Sequence, residues 1–203
     1  FNIPFYSQKI KKGYLWNKLD KLHQSNHCFT DFTHPRQIDA IGQWKGLGDV
    51  ILLGHWGDVL FDKQTDSDDI SYEEQLIQLK RKIFKPGGVE LADNLWKYWG
   101  LEGSFDSYIT DRLDRLYCKI KIDHTSARLR AFKSLYWAPR WTSINLSIFS
   151  QAGEMVIPFY SDEMCKFICT VPERYLEGRK IQLEYIKKHC PEAAQIPWQK
   201  YYP

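Results

Sequence analysis

The stretch Asp49-Val50-Ile51-Leu52-Leu53-Gly54 decides the reading of this chain. It is a short, uninterrupted apolar run stopped by glycine, the pattern of a strand buried on both faces, and so of a parallel strand. A lone parallel strand leaves backbone N–H and C=O groups without partners. Its neighbours are therefore expected upstream of Phe1 or in a partner chain. Directly after it comes Gly54-His55-Trp56-Gly57-Asp58, at the carboxyl end of the strand, where open α/β sheets bind ligands.

On both sides of this element the text is mostly helical. Tyr14 to His23 and Arg36 to Lys45 read as short helices, the second closed by Gly46 and Gly48. Beyond Asp62 helical spacing dominates. Ser71 to Phe84 carries the stripe Leu76, Leu79 and Ile83 and ends at Pro86-Gly87-Gly88. Gly88 to Trp99 follows, then Phe105 to Ile120, with Ile109, Leu113, Leu116, Tyr117 and Ile120 in register. Further helices are expected over Ser126 to Trp137, stopped by Pro139, over Glu163 to Val171, and over Arg179 to Cys190. The expected fold is mainly α-helical with a small parallel β element. Residues 1–62 form a strand-bearing part with the glycine turn, and residues 63–203 a helical part.

Composition narrows the function. The chain has 203 residues, 43% hydrophobic and 26% charged, which is globular usage and not that of a disordered segment. Its 28 basic and 25 acidic side chains leave a net charge of +3, no electrostatic case for nucleic acid. No apolar run approaches the roughly 20 residues of a membrane span. Aromatic residues reach 15%, with eight Trp, enough for a dense core or for interface anchors. The five cysteines, Cys28, Cys118, Cys165, Cys169 and Cys190, are irregularly spaced and read as reduced core thiols of a cytoplasmic protein. The chain opens on Phe1 without a signal segment and reads as a piece of a longer protein.

Chemistry concentrates in the glycine turn. Gly54 and Gly57 can take positive φ and bring backbone amides close to a phosphate. Asp58 offers a hard oxygen ligand for Mg2+, and His55 a base near neutral pH. The alternative is a tight turn capped by Asp58 with His55 simply exposed. His23, His27, Cys28 and His34 match no closed zinc site in their spacing. Lys80-Arg81-Lys82 reads as a solvated helix face, and Asp66, Asp68 and Asp69 as a solvated loop.

Leu52-Leu-Gly-His-Trp-Gly-Asp-Val-Leu-Phe61 resembles the S-G-E-G-x-D-E-L-F segment of the asparagine synthetase family. Ile157-Pro-Phe-Tyr-Ser-Asp-Glu-Met164 is similar to its R-x-P-F-L-D segment. Val171-Pro172 stands at its L-P, Lys180 to Pro191 at its K-x-x-L-R and following helix, and Ile196-Pro-Trp-Gln-Lys200 at its R-x-K segment. The resemblance implies the C-terminal part of an α/β adenine-nucleotide α-hydrolase-like synthetase domain. It also implies ATP and Mg2+, a carboxylate substrate that is adenylated, and an amine donor that attacks the acyl-adenylate, giving an amide, AMP and pyrophosphate. By position, Asp58 would hold the Mg2+–pyrophosphate, Gly54 and Gly57 would shape the nucleotide turn, and Lys200 would stabilise developing charge. His55 stands where the family has an acidic residue, Val59 replaces the second one, and Ser161 replaces the aspartate after P-F-L. The family's S-G-G-x-D-S loop and glutaminase domain are absent from this sequence, so the nucleotide loop is expected upstream. A non-catalytic binding protein built on the same framework is the alternative, and homodimer formation stays open.

Overall fold

A computed structural model describes residues 4–27 and 36–197. The chain divides into two compact units, each discontinuous in sequence: residues 1–60 with 134–170, and residues 61–133 with 171–203. It is mainly helical, with a small parallel sheet.

In the first unit, helix α1 (Tyr14–Asn26) and the short helix α2 (Ile41–Trp44) precede strand β1 (Val50–Leu52), which runs into the short helix α3 (Gly57–Leu60). Strand β2 (Glu154–Val156) returns beside β1 in parallel register, Val50 opposite Glu154 and Leu52 opposite Val156. The ladder is extended at both ends, where Glu154 N donates to Asp49 O and Leu53 N to Val156 O, each at 2.9 Å. The partner of the apolar strand thus lies downstream in the same chain, which corrects the expectation of a neighbour upstream or in another chain.

The strand is also not buried on both faces. Ile51, Met155 and Leu53 face the core formed by Leu22, Ile38, Ile41, Leu146, Ile148 and Phe149. Val50 and Leu52 point the other way and are 49% and 71% exposed. An all-apolar run has no alternation to mark its covered face, so composition alone overstates its burial.

The second unit holds helices α4 (Tyr72–Ile83), α5 (Gly88–Tyr98), α6 (Phe105–Tyr117) and α7 (Thr125–Phe132). Helix α4 starts at a reciprocal capping box, with Ser71 Oγ accepting from Glu74 N and Glu74 Oε2 from Ser71 N. Its core is Leu79, Leu113, Tyr117, Leu129, Phe132 and Leu176. Burial pushes the Tyr117 phenol up to about 12, and its hydroxyl donates to Gln75 Oε1 at 2.8 Å.

Residues Lys133–Thr142 wind as a π-helix with Pro139 inside, followed by α8 (Ser143–Leu146). Pro139 therefore does not end the helical path as expected. Proline lacks the N–H of the i→i−4 ladder and its ring crowds the carbonyl four residues back, and a locally widened turn accommodates both. Helices α9 (Asp162–Ile168), α10 (Lys180–His189) and α11 (Pro191–Ala194) complete the chain.

Cys118 and Cys169 are exposed, and Cys165 and Cys190 half-buried; all four are free thiols. They are not core residues, as the sequence suggested. Cys28 lies outside the described residues, as does His34. No helix among the described residues is long and apolar enough to cross a membrane.

Candidate functional site

Strand β1 delivers the chain into the turn Gly54-His55-Trp56-Gly57-Asp58, and α3 carries it away, so the turn sits at the carboxyl end of a parallel strand. Its conformation differs from the one the glycines suggest. Neither Gly54 nor Gly57 has a positive φ; the left-handed residue is Trp56, at φ 74°. That region costs an L-residue roughly 1–2 kcal/mol. The surroundings hold Trp56 there: its indole is 5% exposed, Nε1 donates to Ser134 Oγ at 3.2 Å, and its ring meets Tyr160 edge-on at 5.8 Å.

Gly57 is needed for packing. A Cβ built there would lie 3.1 Å from the Phe159 ring, whereas one at Gly54 would meet nothing within 4 Å. Of the two glycines, only Gly54 leaves its backbone open to a ligand. Phe159 and Tyr160 belong to the 3-10 turn Pro158–Tyr160, just after β2. Tyr160 also donates from its hydroxyl to Ser134 O at 2.6 Å. The segments 52–61 and 157–164 thus meet around Trp56 and Gly57, although far apart in sequence.

His55 is half-buried and packs edge-on against Phe149, ring centroids 6.4 Å apart. Burial pulls its pKa below the ordinary histidine value, and the Asp58 carboxylate partly opposes that shift. The imidazole is therefore neutral at pH 7, with a lone pair available for proton transfer. An NMR titration of the His55 ring should give a pKa below that of a solvated histidine near 6.5. Asp58→Asn should lower it further, because only the opposing carboxylate is removed; a value unmoved by the substitution would refute the coupling.

Asp58 is exposed. No group of three or more His, Cys, Asp or Glu poised for a metal occurs among the described residues. Asp58 is thus a single hard ligand, a donor set that suits Mg2+ only when substrate phosphates and water complete the octahedron. Lys200 lies outside the described residues.

Sequence reasoning missed what adjoins His55. A pocket of about 140 Å3 is lined by Arg36, Gln37, His55, Trp141, Thr142, Asn145, Leu146 and Phe149. Thr142 and Asn145 are 5% and 6% exposed. His55 Nδ1, Thr142 Oγ1 and Asn145 Oδ1 are all buried without a hydrogen-bond partner. The Asn145 amide is oriented by Nδ2, which donates to Trp141 O at 2.9 Å. No local signal marked them: Thr142 and Asn145 stand in a helical stretch that also holds Arg140, Ser143 and Ser147.

The chain matches no protein-family model, no curated protein and no solved structure.

Proposed function

We propose that this chain is the C-terminal portion of an ATP-dependent amide-forming ligase that resembles asparagine synthetases, and that it contributes His55, Asp58 and Lys200 to the site. One observation carries the reading. The two segments on which the resemblance chiefly rests, 52–61 and 157–164, pack together, Phe159 on Gly57 and Tyr160 on Trp56. They do so at the carboxyl end of a parallel strand, where α/β enzymes place nucleotide chemistry.

In this reading His55, neutral at pH 7, accepts the proton lost by the amine as it attacks the activated carbonyl. Asp58, exposed beside it, would hold Mg2+ together with the phosphates, where the ion would supply charge neutralisation for a leaving pyrophosphate. Gly54 leaves room for backbone approach. The carboxylate substrate is a small molecule or a peptide.

The test is pyrophosphate release from ATP by the natural full-length protein, with a panel of carboxylates and amines. Asp58→Ala and Lys200→Ala should each lower turnover by about 10²-fold or more, the scale of one electrostatic stabiliser. Turnover unchanged in both variants sinks the site assignment. ATP binding without turnover on any substrate favours instead a non-catalytic binding protein with the same framework.

A further inference from the structure

The geometry points to a binding site for a small, free primary carboxamide in the pocket formed by Arg36, Gln37, His55, Thr142, Asn145 and Phe149. This goes beyond the ligase reading: it shares His55 with that site but involves neither Asp58 nor Lys200 and stands without ATP chemistry.

The polar atoms set the chemistry. Three of the residues that line this pocket each carry a buried polar atom without a partner: His55 Nδ1, Thr142 Oγ1 and Asn145 Oδ1. Buried polar groups are ordinarily satisfied, and leaving them so is costly. Asn145 Nδ2 gives an N–H to Trp141 O, whereas Asn145 Oδ1 has no partner, so a donor from the ligand is what Asn145 calls for. Thr142 Oγ1 can donate in return, so the ligand needs an acceptor as well.

Charge and size do the rest. No carboxylate lines the pocket and Arg36 does, so a cation would be desolvated against a like charge. A carboxylate could pair with Arg36 but would set oxygen against Asn145 Oδ1 with no proton between them and leave that acceptor unpaired. A neutral group with N–H beside C=O satisfies both needs. The flat side of such a group suits the Phe149 ring. The volume, about 140 Å3, equals the liquid share of about five waters, room for a ligand of four or five non-hydrogen atoms.

Acetamide, acetone and acetate have the same number of non-hydrogen atoms and differ in the features at issue. The 15N-labelled chain is titrated with each at neutral pH, following the Asn145 side-chain amide, the Thr142 backbone amide and the His55 ring by NMR. Acetamide should give saturable shifts at these groups, in the weak range that so few atoms allow. Its affinity should exceed those of acetone and acetate by about 10-fold, the consequence of a buried acceptor left unpaired by the other two. Thr142→Val, nearly isosteric, should weaken acetamide about 5-fold or more, and Thr142→Ser should restore it. Acetone or acetate binding as tightly as acetamide overturns the proposal. So does the absence of saturable shifts, which means a pocket holding water only. If Thr142→Val fails to fold, the comparison of the three probes on the unaltered chain decides the matter alone. Failure here leaves the Asp58 and Lys200 results untouched, so the two readings are separable.

Discussion

Trp56→Ala should cost the first unit about 3–5 kcal/mol, the range for emptying a buried Trp site. Three contributions are lost together. The indole is 5% exposed, its Nε1 holds Ser134 Oγ, and its ring supports Tyr160. Alanine retains a Cβ, so the backbone penalty at φ 74° persists in the variant. Glycine removes that penalty, about 1–2 kcal/mol, at an added chain-entropy cost of roughly 0.5–1 kcal/mol. Trp56→Gly should therefore be no less stable than Trp56→Ala, the reverse of the usual order. Urea unfolding followed by a probe in the first unit measures both. A Trp56→Ala loss below about 1 kcal/mol, the scale of an ordinary substitution, would show that the turn does not depend on the indole. Ser134→Ala should cost only the share of one hydrogen bond, about 0.5–1.5 kcal/mol.

The second large effect is expected at Glu173. Its carboxylate pairs with the Arg130 guanidinium, and the two side chains are only 14% and 7% exposed. Glu173 Oε2 also accepts from Ser126 Oγ at 3.0 Å, and Ser126 Oγ in turn accepts from Gln64 N at 2.9 Å. This cluster ties the returning segment after Val171 to the earlier part of the second unit. Glu173→Ala leaves Arg130 buried without its counter-charge, a loss of about 3–5 kcal/mol. Replacing both partners, as Arg130→Met with Glu173→Leu, should recover most of that loss, because an ion pair taken out of water offsets much of its own attraction. Denaturant unfolding of the single and double variants checks this. Equal destabilisation in both would mean that the pair contributes far more than its desolvation costs.

Helices with local signals were legible. The stripe of Leu76, Leu79 and Ile83 marked α4, the spacing of Ile109, Leu113 and Tyr117 marked α6 although the helix stops at Tyr117 short of Ile120, and Pro191 marked the end of α10. The sheet was half legible. Val50–Leu52 announced itself, but its partner is three residues, Glu154-Met155-Val156, with too little pattern to read. Their pairing is specified by long-range packing of Ile51 and Met155 on the Leu22 core, which no local window contains. Pro139 misled for a related reason: its local preference is real, yet tertiary context kept the helical winding going.

The candidate site divides the same way. His55 and Asp58 were found because glycines bracket them after an apolar strand. The positive φ was expected at those glycines, yet Trp56 has it, since burial of a large side chain outweighs backbone preference. Arg36, Thr142 and Asn145 were invisible because they reach His55 from segments with ordinary helical or turn composition.

The discontinuity of both units sets an order of events during synthesis. Val50–Leu52 leaves the ribosome long before Glu154–Val156 exists, so β1 waits with an unpaired edge and its apolar side chains in water. Most of the second unit is made during that wait. It cannot close either, because Glu173 and Leu176 come later still. Two half-built cores then coexist on one nascent chain, each lacking its last segment. Such a chain exposes an unpaired strand edge to neighbouring chains until its last segments arrive. Loop closure over such spans is slow, and a faster translation rate should lower the yield of native protein only if release outpaces this late pairing.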